Sequence, residues 1–146
     1  MSSRLDAFTI GADCANGAEV RRASDWLEAA CLRHDVPQAP SERLVICLNE
    51  ALANIITHGG VSALCAPIKV LFVPTREQDC HKASVTVTDA GMPYDPVSAP
   101  QKILPKTLAD ATEGGLGLVM IRRCADWLDY RHADGRNQFT FGARWS

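Results

Sequence analysis

From residue 44 to residue 56 the chain reads Leu-Val-Ile-Cys-Leu-Asn-Glu-Ala-Leu-Ala-Asn-Ile-Ile, a buried helix interrupted by Glu50 and Asn54. Upstream, Val20, Ala23, Trp26, Leu27, Ala30 and Cys31 recur at helical spacing, which predicts a helix over residues 17–34. Pro37 and Pro40 are expected to break it. Ser41 then offers an N-cap for the Glu50 helix, and Glu42 stands in the acidic first turn. That helix should end near His58, before Gly59-Gly60. Residues 4–10 form a candidate first strand, and residues 68–73 a short apolar one. Residues 74–82 read as a polar turn. Residues 84–88, Ser-Val-Thr-Val-Thr, alternate and are β-branched, so they predict a strand ending at Asp89-Ala90-Gly91.

Residues 92–113 break the pattern. Pro93, Pro96, Pro100 and Pro105 lie in a stretch with little periodicity. A loop of this length within a compact domain is usually functional or disordered. Gly114-Gly115-Leu116-Gly117 follows and leads into an apolar helix over residues 118–125. Residues 127–132 and 138–141 predict a closing hairpin around Asp134-Gly135. The order is β-α-α-β-β-loop-α-β-β. It predicts an α/β two-layer sandwich, with three helices covering one face of a mixed, mostly antiparallel sheet.

Composition narrows the class. The 146 residues suit a single domain. Hydrophobic residues at 47% and charged residues at 22% are ordinary for a globular protein. The net charge is -2, and Arg21-Arg22 and Arg122-Arg123 are isolated pairs, so nucleic acid is not an expected partner. Cysteines 14, 31, 47, 65, 80 and 124 form no Cys-x-x-Cys, which argues against zinc-ribbon and thioredoxin chemistry. Free thiols in a reducing cytosol are expected. The first residues lack the apolar core of a signal peptide. No apolar run approaches the ~20 residues that span a bilayer. A cytoplasmic protein without membrane contact is the expectation.

Three clusters carry candidate chemistry. Glu50 and Asn54 stand about one helical turn apart and point the same way. Alone they also fit a polar face turned to water. As a site, Asn54 offers an amide oxygen to Mg²⁺ and Glu50 a carboxylate to accept a proton. His58 extends the same face by one turn. Asp89 at a strand end can accept a hydrogen bond from an exocyclic amine, and Gly91 lets a flat ring approach the backbone. The same Asp-x-Gly also marks ordinary turns. The glycines at 114, 115 and 117 can present N–H groups to an anion at a helix start. The spacing is not that of a P-loop, and the preceding loop excludes a Rossmann turn.

In this order the clusters resemble the GHKL (Bergerat-fold) ATPases. Glu50-x-x-x-Asn54 resembles their N box, residues 89–96 (Asp-Ala-Gly-Met-Pro-Tyr-Asp-Pro) the G1 box, and residues 114–118 (Gly-Gly-Leu-Gly-Leu) the G2 box. Within that superfamily the chain is most similar to the small anti-sigma-factor serine-protein kinases. Pro93-Tyr94-Asp95-Pro96 matches their Pro-Phe-Asp-Pro, and the tail through Asp126, Tyr130, Gly135, Asn137 and Thr140 follows their closing pattern. The resemblance covers residues 15–142.

It implies one ATP-binding domain over residues 1–146, with residues 92–113 as the nucleotide lid. Glu50 is implied as catalytic base and Asn54 as Mg²⁺ ligand. Asp89, Gly91, Tyr94, Gly114, Gly115, Leu116, Gly117, Leu118 and Thr140 are implied around ATP. Asp89 would take adenine, the glycines the phosphates, and Thr140 the adenine end. The implied substrate is a serine of an anti-anti-sigma (STAS-type) partner. A sigma factor is a further implied partner, and a homodimer the implied state. The residues leave open a non-catalytic, nucleotide-dependent switch that sequesters a regulator, and an ATPase acting on water.

Overall fold

Ile10, Ile68, Val70, Phe72, Val85, Val87 and Phe141 project from one sheet face and are buried. They meet Leu27, Leu44, Leu48 and Leu52 of two long helices. The computed structural model describes residues 6–93 and 115–146, with side chains from residue 119 onward in the second stretch. Its strands are β1 (Asp6–Ile10), β2 (Ile68–Arg76), β3 (His81–Asp89), β4 (Trp127–Ala133) and β5 (Arg136–Trp145). The helices are α1 (Gly17–Arg33), α2 (Gln38–His58), α3 (Gly60–Cys65) and α4 (Gly115–Cys124). The sheet order is β1-β2-β3-β5-β4, and every pairing is antiparallel. Among the described residues no parallel pair supplies the mixed character expected from the sequence. The two-layer α/β arrangement and the element order agree with expectation, with the short α3 added.

Local chemistry explains the element ends. Asn16 caps α1, its side-chain oxygen accepting from the Glu19 N–H at 3.0 Å. At the other end Asp35 takes a left-handed conformation (φ 58°), and Val36 N–H donates to the Cys31 carbonyl. This closes a Schellman turn with aspartate where glycine is usual. The expected start of α2 at Ser41 is wrong by one turn. Pro37 takes the N-cap, Pro40 lies within the first turn, and Ser41 N–H donates to the Pro37 carbonyl. Proline fits there because first-turn N–H groups have no intrahelical acceptor.

The strand expected to stop at residue 73 runs on to Arg76. Proline breaks a strand only where its missing N–H is needed. β1 pairs with β2 only across Ile68–Phe72, so Pro74 faces β3 alone among the described strands. The β4–β5 hairpin turns at Asp134 (φ 55°) and Gly135 (φ 73°), the positive pair that a two-residue turn requires.

All six cysteines are free. Cys47 is buried between α2 and α4, and its thiol donates to the Ile121 carbonyl at 3.8 Å. Burial first, and then the neighbouring Cys124, push its pKa up to about 12, so it packs as a small apolar group. Asp6 ties β1 to the end of α1. Burial opposes its charge, but hydrogen bonds from Arg33 (3.0 Å) and His34 (3.2 Å) outweigh it and hold its pKa below the usual value. A lowered carboxylate pKa adds stability that is fully present above the unfolded value. That stability is lost as pH falls through the folded value. Acid unfolding of Asp6→Asn, followed by circular dichroism, should therefore show a weaker pH dependence than wild type below about pH 4, the unperturbed carboxylate range.

Candidate functional site

The buried row of β3 reads Ala83, Val85, Val87, Asp89, and that of β5 reads Ala143, Phe141, Phe139, Asn137. Both rows turn polar at the same end, where Asp89 and Asn137 are register partners. Each is only 6% exposed. Buried polar groups persist where hydrogen bonds replace lost water, and this pair has many.

Asn137 is the hub. Its Nδ2 faces three acceptors, Asp89 Oδ1 at 3.1 Å, the Gly91 carbonyl at 3.2 Å and the Met92 carbonyl at 3.0 Å. That fixes which end of the amide is nitrogen. Its Oδ1 must then accept, and it does so from Tyr130 Oη at 2.5 Å and His132 Nδ1 at 3.2 Å. Asp89 Oδ1 also accepts from the Gly91 N–H at 2.8 Å. Two donors thus hold Oδ1, while Oδ2 receives no hydrogen bond from the described residues and reaches the cleft that Asp89 lines. The carboxylate is locked in orientation with one acceptor left for a ligand.

That cleft runs between α2 and the polar end of the sheet. Val87, Phe139 and Tyr130 wall it on the sheet side, and Ala51, Asn54, Ile55 and His58 on the helix side. Apolar walls with one oriented carboxylate suit a flat heterocycle that offers an amine. Gly91, expected to make room for a ring, is not among the residues that line the cleft; it packs against Asp89, Ala63 and Gly59. A Cβ there would stand 2.8 Å from Asp89 Oδ1 and 3.0 Å from both Ala63 Cβ and the Gly59 carbonyl. Gly91→Ala must shift this turn, at an expected cost of about 1–3 kcal/mol, measurable by urea unfolding.

Asn54 lies on the cleft wall, and its amide makes no hydrogen bond among the described residues. Glu50 does not line the cleft itself; it stands half-buried one turn closer to the start of α2. The seam between α2 and α4 shows what it faces. Arg43 donates to the Cys124 carbonyl and Cys47 to that of Ile121. Moving forward along α2 is therefore moving backward along α4. The first turn of α4, starting at Gly115, is directed toward Glu50 and Asn54, and its N–H groups, which have no acceptor within the helix, lie at that end. Gly115, Leu116, Gly117 and Leu118 are helical, whereas Tyr94 and Gly114, like the expected lid from residue 94 on, lie outside the described residues. Among the described residues no group of three His, Cys, Asp or Glu side chains could hold a metal ion. Also among them, no helix is long and apolar enough to cross a membrane.

Thr140 is a correction. Odd-numbered Asn137, Phe139 and Phe141 face the helices, so Thr140 faces the other side of the sheet. Its Oγ1 pairs with Thr86 Oγ1 at 2.8 Å, away from the cleft. The group beside Asp89 is Asn137. The alternation was the available signal, since counting back by two from Phe139 ends on an asparagine where the row should be apolar.

Comparison with known proteins agrees with this geometry. The family model of the histidine kinase-like ATPase domain matches residues 14–142. Over 140 residues the chain is 31% identical to the serine/threonine-protein kinase BtrW of Bordetella bronchiseptica, covering 96% of this chain and 94% of that one. The fold is also that of a crystal structure of the RsbU and RsbW domains of a Mycobacterium tuberculosis protein, with TM-score 0.64 and 15% identity. That match covers 94% of this chain, which spans only 32% of the larger one. A polar strand end facing a helix with Glu50 and Asn54, and a family match over nearly the whole length, together place the chain in the histidine kinase-like ATPase domain family.

Proposed function

We propose that this domain is an ATP-dependent serine-protein kinase that acts as an anti-sigma regulatory factor in the cytoplasm. It transfers the γ-phosphate of ATP to a serine of an anti-anti-sigma partner of the STAS type. The observation that carries nucleotide use is the Asp89 carboxylate, held on Oδ1 and open on Oδ2 at an apolar cleft. Oδ2 accepts a hydrogen bond from the adenine amine, and Val87 and Phe139 flank the ring. The kinase assignment rests on the relative named a serine/threonine-protein kinase together with an intact Glu50.

The residues divide the work. Asn54 would hold Mg²⁺ through its amide oxygen, an ion that prefers oxygen ligands and takes most of them from phosphate and water. Once bound, Mg²⁺ supplies charge neutralisation at the β- and γ-phosphates. The N–H groups at the start of α4, from Gly115 to Gly117, receive phosphate oxygens. Glu50 accepts the proton of the serine hydroxyl as its oxygen attacks the γ-phosphorus, and ADP leaves. Rate comes mainly from positioning and charge stabilisation. By likeness to the family the active form is a homodimer that also binds a sigma factor.

The test is transfer of labelled γ-phosphate to a candidate STAS partner, followed by identification of the labelled residue. Phosphoserine is the expected product. Capture of the partner without label would instead establish the non-catalytic switch. Calorimetry of Asp89→Asn should show ATP binding weakened roughly 10- to 150-fold, the worth of one hydrogen bond to a charged group. An unchanged dissociation constant would remove Asp89 from the adenine role.

A further inference from the structure

We propose that the groove between α1 and α2, which shares no lining residue with the Asp89 cleft, docks a short basic amphipathic helix of a protein partner. The groove encloses about 780 Å³ and is open to solvent along its length. Leu32, Val45 and Ile46 supply apolar surface, and Asp25, Glu28 and Glu42 supply carboxylates. Leu32 is 79% exposed, the most exposed of the large apolar side chains described. From Asp25 to Leu32 the wall is about 10 Å long, room for two turns of a docked helix.

The charge identifies the occupant. Among the described residues no lysine or arginine lines the groove. Three of the four arginines of the two helices are engaged elsewhere: Arg22 with Glu19, Arg33 with Asp6, and Arg43 with Asp126. Arg21, one turn before Asp25, makes no described ion pair with it. Glu42 receives one neutral hydrogen bond, from Gln38 Nε2 at 2.9 Å, which leaves its charge in place. Three carboxylates gathered beside apolar surface, in a chain whose whole net charge is -2, form a concentrated negative rim. Such a rim repels nucleic acid and acidic surfaces and attracts a cationic segment. The apolar surface asks that segment for leucine-like side chains at helical spacing.

Two fluorescent peptides of about four helical turns test this. Both carry leucines on one face; the other face is arginine in one and glutamate in the other. Anisotropy titration of the intact chain should show the arginine peptide binding at least tenfold tighter, and more weakly at high salt. The variant Asp25→Asn/Glu28→Gln/Glu42→Gln should lose roughly tenfold, since each exposed pair is worth about two- to fivefold. Leu32→Ser, at an exposed position, should fold normally and weaken binding severalfold. Neutralising Glu77 and Asp79, on the β2–β3 turn, should change nothing. Equal affinity for the two peptides overturns the proposal, as does tight binding retained by the triple variant and by Leu32→Ser. Sedimentation showing a dimer that Leu32→Ser dissociates also overturns it, because a second copy would then be the occupant. Calorimetry with ATP reads the other cleft, so failure there leaves this outcome separate.

Discussion

Replacing Glu50 by glutamine is expected to lower phosphoryl transfer to a serine partner by about 10²- to 10⁴-fold, the usual worth of a general base. ATP affinity should stay within about twofold, because loss of a transition-state interaction alone leaves ground-state binding intact. The structure motivates the split. Glu50 stands one turn from Asn54 and outside the residues that line the cleft, so a bound base need not touch it. The start of α4 is directed at the same turn of α2, which is where phosphates would lie. Single-turnover transfer and calorimetry on the same preparation check both halves. Undiminished transfer would remove Glu50 from the base role. A parallel collapse of ATP affinity would mean that the side chain organises the cleft instead.

Asn137→Asp should have the largest effect on the nucleotide end. The change preserves shape but replaces Nδ2 with an oxygen facing Asp89 Oδ1, the Gly91 carbonyl and the Met92 carbonyl. Three acceptors then confront a fourth, and two carboxylates meet in a site that is 6% exposed at each residue. A broken buried charge network typically costs about 3–5 kcal/mol. Urea unfolding should show a loss of that size at neutral pH, and ATP binding should fall with it. Acid should restore part of the stability, because one proton shared between the two carboxyls relieves the repulsion. Stability of the variant is thus present at low pH and lost as pH rises through the raised pKa of the pair. A variant as stable as wild type would show that the hub is dispensable. Tyr130→Phe, which removes one donor to Asn137 Oδ1, should cost only about 1 kcal/mol.

The α1–α2 groove and the Asp89 cleft make separable demands. Asn54, Asp89 and Asn137 line the cleft, whereas Asp25, Glu28, Leu32 and Glu42 line only the groove. Peptide binding and nucleotide binding can therefore be altered one at a time.

Much of the architecture was legible along the chain. Helical spacing through Ala23, Leu27 and Cys31 and alternation through Val85 and Val87 reflect burial against a neighbour, and burial leaves its period in the sequence. The proline-containing segments were read less well. Pro40 and Pro74 look like breaks, and both lie inside elements. A proline matters only where its missing N–H has an acceptor waiting, and acceptors are set by neighbours.

The site divides the same way. Glu50, Asn54, Asp89 and Gly91 could be singled out because their spacing is local: one helical turn, or one turn after a strand. Asn137 showed along the chain only as a polar break in the β5 alternation, because its role depends on register between β3 and β5, which places it opposite Asp89 across 48 residues of chain. Thr140 was misplaced for the same reason, since a shift of an odd number of residues carries a side chain to the other face of a sheet. By itself, then, the sequence determined the elements, the family resemblance and the groups able to do chemistry. Only the tertiary structure decided which of them share a face, because strand pairing sets parity and parity decides whether a polar side chain meets the cleft or water.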